Sequence, residues 1–170
     1  NYTKYIQHTK KNIATYCNNR KYEFVYKYNK DFDKIRPKFD VIRKEISTCD
    51  TMLILYNYSF IADHSKSIDT FLTFNMGYTD KDEQVMLIDN IYGEWFSNFI
   101  IFNKINTLDI LDELLLFFSK EKVSEIQISQ YFKSHKNIKN NQFVPIFHNN
   151  TKSGYIGSFN GEISKFELER

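Results

Sequence analysis

The run TMLILY, Thr51–Tyr56, is apolar almost throughout and has the length of a strand. With no polar alternation, it has the pattern of a strand covered on both faces, as at the centre of a parallel sheet. Upstream, Pro37 sits where a first helical turn tolerates proline, and Phe39, Ile42 and Ile46 predict a helix up to about Ser47. Downstream, Asn57 to Ser67 is polar and reads as a loop. Ile68, Phe71, Leu72, Asn75 and Thr79 then trace one side of a helix that ends near Tyr78. Two further short runs, QVMLID at Gln84–Asp89 and FIIF at Phe99–Phe102, read as buried parallel strands on either side of a loop holding Gly93 and Trp95. Asn106, with Asp109 three residues on, predicts a capped helix to about Lys120 whose apolar side carries Leu108, Leu111, Leu115 and Phe118.

Further out, Tyr2, Ile6, Ile13 and Cys17 follow helical spacing up to a stop at Asn18-Asn19, and Tyr22 to Tyr26 reads as a short strand. Strands alternating with helices imply right-handed crossovers and an α/β fold, a flavodoxin-like open parallel sheet with helices on both faces. After Val123 the pattern changes. A short helix is expected over Ile126, Ile128, Tyr131 and Phe132, followed by SHKNIKNN, and the Asn160-Gly161 pair is a strong hairpin signal. The expected organisation is an α/β sheet domain over residues 1–124 and an extension with a helix and a hairpin over 125–170. The chain opens on Asn1 rather than methionine, which leaves open whether a first strand precedes it.

A length of 170 residues suits a domain of ordinary size, and 42% hydrophobic with 17% aromatic content excludes disorder as the overall state. No apolar run reaches the roughly 18 to 20 residues of a membrane span, so no membrane partner is expected. A net charge of +2 is too small to predict a polyanionic partner. A nucleic-acid face would rest on Lys120, Lys122, Lys133, Lys136 and Lys139 with Tyr131 and Phe132, but Glu121 and Glu125 dilute it, and this reading is disfavoured. Cys17 and Cys49 are too few for a disulfide framework or a zinc site and lack redox spacing. They are expected to be reduced thiols in a cytoplasmic protein.

No glycine precedes Gly77, and neither phosphate-loop pattern occurs, so no nucleotide cofactor is expected. His8, His64, His135 and His148 are scattered without the i, i+4 spacing of a metal clamp, so no metal is expected either. His64 alone falls in a candidate site loop, beside Asp63, where an imidazole could carry protons or simply be solvated.

The segment CDTMLILY, Cys49–Tyr56, followed after a polar loop by DTFLTFNMGYTDKDEQVMLID, Asp69–Asp89, resembles the core of the nucleoside 2-deoxyribosyltransferase family. In that family an aspartate precedes a buried strand. A glycine-threonine pair then leads to a glutamate two residues ahead of a Gly-Tyr pair, and another buried strand follows. Asp50, Thr70, Gly77 and Tyr78 match, and related α/β groups, including TIR-like NAD-consuming or signalling domains, share the layout. The resemblance implies N-glycosidic cleavage or transfer on a nucleoside or NAD-like substrate, with the glutamate as a nucleophile that forms a glycosyl-enzyme. Here Asn75 stands in the glutamate's place and Asp69 in the glycine's.

An amide is a poor nucleophile and carries no charge, so the usual chemistry is not expected at Asn75. Three readings of it stay open: a structural amide, a binding amide that recognises a sugar or base, or a relic in an enzyme whose carboxylate comes from Asp63, Asp69 or Glu94. Each acid also has a plainer role, Asp69 as a charge in a first helical turn and the other two as solvated loop residues. The expectation is therefore a nucleoside- or nucleotide-binding domain that uses Tyr56, Asp69, Thr70, Asn75 and Tyr78, with catalysis undecided. The alternative is a non-catalytic interaction or signalling module. Its protein partner would meet the Trp95, Phe96 and Phe99 group or the C-terminal extension, and a homo-oligomer stays open.

Overall fold

The structure, a computed structural model, describes residues 2–27, 35–55, 59–75, 83–89, 99–120, 123–141 and 156–158. The chain divides into two compact units, each made of separate stretches: residues 1–26, 55–82 and 143–170 form one, and 27–54 with 83–142 form the other.

The second unit carries a four-stranded sheet built from β1 (Thr51–Ile54), β3 (Met86–Asp89), β4 (Phe99–Phe102) and β5 (Ile138–Asn141), in the order β1-β4-β3-β5. The α/β class holds, but the sheet is mixed rather than wholly parallel. β4 runs antiparallel to both β1 and β3, while β3 and β5 are parallel. The reason is connection length. Only residues 90–98 lie between β3 and β4, and a parallel crossover needs a dozen or more residues, so the chain turns straight back. TMLILY is also not central. β1 lies at the sheet's edge and its four residues are only half-buried, whereas all four residues of β4 are buried. β1, β3 and β5 share one direction, so the carboxyl ends of β1 and β3 leave the same edge of the sheet, with Ile54 and Ile88 both opposite Phe99.

The register explains the burial. Met52, Ile101 and Met86 are cross-strand neighbours, as are Ile54, Phe99 and Ile88, and these side chains join one apolar cluster. Side chains alternate between the two faces of a strand, so Leu87 and Ile100 point the other way, yet they too are fully buried. Double-sided burial of β3 and β4 is what their unbroken apolar runs encode.

Three helices complete the cluster: α2 (Ile35–Glu45), α4 (Thr107–Phe118) and α5 (Glu125–Ser134). Phe39 of α2 stacks on Phe99 with ring centroids 5.6 Å apart and an interplanar angle of 7°, and it meets Phe118 of α4 at 5.3 Å. Ile110, Leu111, Leu114 and Phe118 form the inner side of α4, and Ile128 and Phe132 that of α5. Pro37 lies in the first turn of α2, as its fixed φ and missing N–H favour. The expected Asn106 cap is not made, because Asn106 has ψ near 8° and its side chain gives no capping bond. The buried Thr107 does the local work instead. Its hydroxyl accepts from the Lys104 N–H at 2.7 Å and donates to the Phe102 carbonyl at 2.7 Å. α5 has the reciprocal box: Ser124 Oγ accepts from the Gln127 N–H at 3.3 Å, and Gln127 Oε1 accepts from the Ser124 N–H at 2.8 Å.

The first unit contains α1 (Tyr2–Arg20), β2 (Ser59–Ile61), the short α3 (Ile68–Thr70) continued by a π-helical stretch (Phe71–Asn75), and β6 (Ile156–Ser158). β2 pairs antiparallel with β6, so the stretch expected to be loop from Asn57 to Ser67 contains a strand. Tyr22 to Tyr26 forms none; Val25 and Tyr26 are largely exposed, and Lys10 sits 4.2 Å above the Tyr26 ring. The Asn160-Gly161 pair lies outside the described residues.

Candidate functional site

The longest-range polar contacts of the first unit converge on the segment that links β2 to α3. Asn12, Tyr16 and Arg20 recur every fourth residue along α1, which places them one above another on a single face. Asn12 Oδ1 accepts from the Ile61 N–H at 2.8 Å, while Asn12 Nδ2 donates to the Ile61 carbonyl at 3.1 Å and lies 3.0 Å from His64 Nε2. The Tyr16 hydroxyl donates to the Lys66 carbonyl at 2.9 Å, and its ring meets the His64 ring edge-on at 5.4 Å and 73°. Arg20 donates to the His64 carbonyl at 2.7 Å and to the Ser65 carbonyl. One helix face thus holds three consecutive positions of a polar segment, His64 to Lys66, and the strand end at Ile61.

Within that segment Asp63 closes a turn on itself. Its Oδ1 accepts from the Ser65 N–H at 2.9 Å and from the Ser65 hydroxyl, and its Oδ2 faces Lys66 Nζ at 3.6 Å. The Ser65 hydroxyl bond, reinforced by the Ser65 N–H and the Lys66 charge and opposed by partial burial, holds the Asp63 carboxyl below the usual carboxylate range. A carboxylate so fully engaged is anionic and oriented, but its oxygens are turned toward its own loop.

Ser67 then caps α3. Its Oγ accepts from the Thr70 N–H at 3.0 Å and shares a 2.8 Å hydroxyl contact with Thr70. Asp69 is exposed in the first turn, and Phe71 and Leu72 anchor the segment by burial. Asn75 closes the π-helical stretch. A π turn carries an extra residue relative to an α turn, so the 3.6-residue period does not hold along Phe71–Asn75.

Of the expected site residues, Asp63, Asp69, Thr70 and the backbone of Asn75 therefore follow one another along a single capped segment. Tyr56, Tyr78 and Glu94 lie outside the described residues. Sequence reasoning missed Asn12, Tyr16, Arg20 and Lys66. The recurrence of Asn, Tyr and Arg at four-residue spacing was the available signal, but the apolar stripe through Ile6, Ile13 and Cys17 drew the reading to a neighbouring face. Tyr16 and Thr9 are buried.

Among the described residues no three His, Cys, Asp or Glu side chains gather as a metal site, and no helix is long and apolar enough to cross a membrane. Cys17 and Cys49 are half-buried, and partial burial pushes the Cys17 thiol up.

No family model matches the chain, and no curated protein matches it. Among solved structures, it is similar to a glycosyltransferase involved in the glycosylation of the major capsid of PBCV-1. The TM-score is 0.63 at 11% identity, and the match covers 98% of this chain and 91% of that one. At that identity the likeness is one of fold, spread over nearly the whole length of both chains.

Proposed function

We propose that this chain binds a nucleoside or nucleotide carrying a glycosyl group, through the segment from Asp63 to Asn75, without forming a glycosyl-enzyme. The observation that carries the reading is the fold likeness to a glycosyltransferase over 98% of the chain. It comes from a direction independent of the sequence resemblance to deoxyribosyltransferases, and both families act on a sugar at its anomeric carbon. The shared direction of β1, β3 and β5 lends support, because loops leaving the carboxyl ends of such strands are where α/β proteins collect ligands. That common direction is also what remains of the flavodoxin-like arrangement once β4 is reversed.

The chemistry follows from the carboxylates. A glycosyl-enzyme needs a nucleophile free to attack in a water-excluded site, whereas Asp63 is held by Ser65 and Lys66, Asn75 has only an amide, and Asp69 is exposed in the first turn of α3. Lys66 and the hydroxyls of Ser67 and Thr70 suit recognition of sugar or phosphate oxygens instead.

The test pairs binding with covalent chemistry. Thermal melts with adenosine, uridine diphosphate and uridine diphosphate glucose should show a higher Tm with at least one, and Lys66→Ala with Thr70→Val should abolish the rise. Intact-mass spectra under the same conditions should show no glycosyl adduct. A flat panel would favour the interaction module, and an adduct would restore a nucleophile to the mechanism.

A further inference from the structure

We infer that the Asn12–His64 contact is a proton-sensitive clasp, which adds to the hold of α1 on the segment from Ala62 to Ser67 while the imidazole is neutral. The inference goes beyond the proposed ligand, since it concerns the resting conformation of the segment and stands whether or not anything binds there.

The geometry assigns the hydrogens. Asn12 Oδ1 takes the Ile61 N–H at 2.8 Å and Asn12 Nδ2 gives a hydrogen to the Ile61 carbonyl at 3.1 Å, a reciprocal pair that a flipped amide cannot make. The amide orientation is thereby fixed by two backbone groups. Its second Nδ2 hydrogen points at His64 Nε2, 3.0 Å away, so Nε2 must be the lone-pair acceptor and the ring proton sits on Nδ1. A proton added at Nε2 would set two donors face to face at that distance, and the contact must open.

The groups that face the ring come from α1 and from the segment itself. From α1, the Arg20 guanidinium sits on the carbonyls of His64 and Ser65, and the Tyr16 ring lies edge-on to the imidazole. From the segment itself come Lys66, a second cation, and Asp63, whose Oδ1 and Oδ2 are occupied by Ser65 and Lys66. Opening the clasp removes the hold at His64, while the bonds of Tyr16 and Arg20 to the Lys66, His64 and Ser65 carbonyls remain.

The experiment is backbone amide exchange over residues 61–67 at about pH 8 and about pH 5.5, either side of the ordinary imidazole range and each corrected for intrinsic exchange. Wild type should lose roughly tenfold in protection at the acid pH, the effect of one hydrogen bond of ordinary net strength, while α4 amides keep theirs. His64→Gln retains an acceptor oxygen that takes no proton, so its protection should not respond. Asn12→Asp replaces the donor by an acceptor for an imidazolium, so its response should vanish or reverse. Equal pH responses in wild type and His64→Gln would overturn the clasp, as would a wild-type response in Asn12→Asp. A separate readout needs no variant: nitrogen chemical shifts of His64 at about pH 8 should report the proton on Nδ1, and a proton on Nε2 would overturn the assignment.

Discussion

At the scale of single residues, the end of α1 shows how a local rule is broken and what the break achieves. Lys21 has φ 58°, in the left-handed region that favours glycine. The bonds around it are those of a Schellman end: the Tyr22 N–H reaches the Cys17 carbonyl at 2.9 Å, and the Lys21 N–H reaches that of Asn18 at 3.3 Å. Lys21→Gly should therefore stabilise the protein by roughly 0.5–1 kcal/mol, read as a higher denaturant midpoint at unchanged slope. A lower midpoint would mean that the lysine side chain contributes more than its backbone strain costs. Asn18-Asn19 was a fair stop signal in the sequence, since the helix ends one residue later at Arg20, whose guanidinium meets the carbonyls of His64 and Ser65. Long-range bonds of this kind leave no trace in a propensity. Asp69 and Thr70 were legible as a first helical turn, whereas the engagement of Asp63 by Ser65 and Lys66 depends on a turn geometry that a one-dimensional reading passes over.

Among the elements, α4 and α5 are held together outside the apolar cluster by a polar and aromatic group. The Tyr131 hydroxyl donates to Glu113 Oε1 at 2.6 Å, its ring stacks on Phe117 with centroids 4.4 Å apart, and His135 Nε2 lies 3.7 Å from Glu113 Oε2. Burial first, and then the bond to Glu113, pushes the Tyr131 phenol well above its ordinary range. A folded pKa above the unfolded one means that the folded state keeps a proton which the unfolded state releases. The associated stability is complete below about pH 10 and declines as pH rises above it. Wild type should lose more stability than Tyr131→Phe between about pH 9.5 and about pH 11, by less than the roughly 1.4 kcal/mol per pH unit that one fully differential proton allows. Parallel pH curves for the two proteins would place the phenol in solvent.

Helices were the legible elements because their apolar side is a period within one segment, and Phe39, Leu111 and Phe132 all lie where that period puts them. Strand direction and order were not legible in the same way. An unbroken run such as TMLILY looks alike at an edge or in the centre, and SFI at Ser59–Ile61 becomes a strand only through a partner almost a hundred residues on. The reversal of β4 was nevertheless written in the chain, since nine residues between Asp89 and Phe99 cannot hold a crossover.

For the whole molecule, the division into two units sorts the chemistry. The unit with the four-stranded sheet supplies the large apolar cluster, and the unit containing α1 and β2 holds Asp63, Asp69, Thr70 and Asn75 together with the residues of α1 that fix their segment. The fold likeness to a glycosyltransferase runs through both units, because it covers 98% of the chain. The proposed binding segment lies within the unit containing α1 and β2. The most direct measurement is a backbone NMR titration of the whole chain with uridine diphosphate glucose, followed amide by amide. The account predicts that the largest saturable shifts fall between Asp63 and Asn75, while amides of α4 and α5 stay still. Saturable shifts confined to α4 and α5, or no saturable shift anywhere, would contradict it.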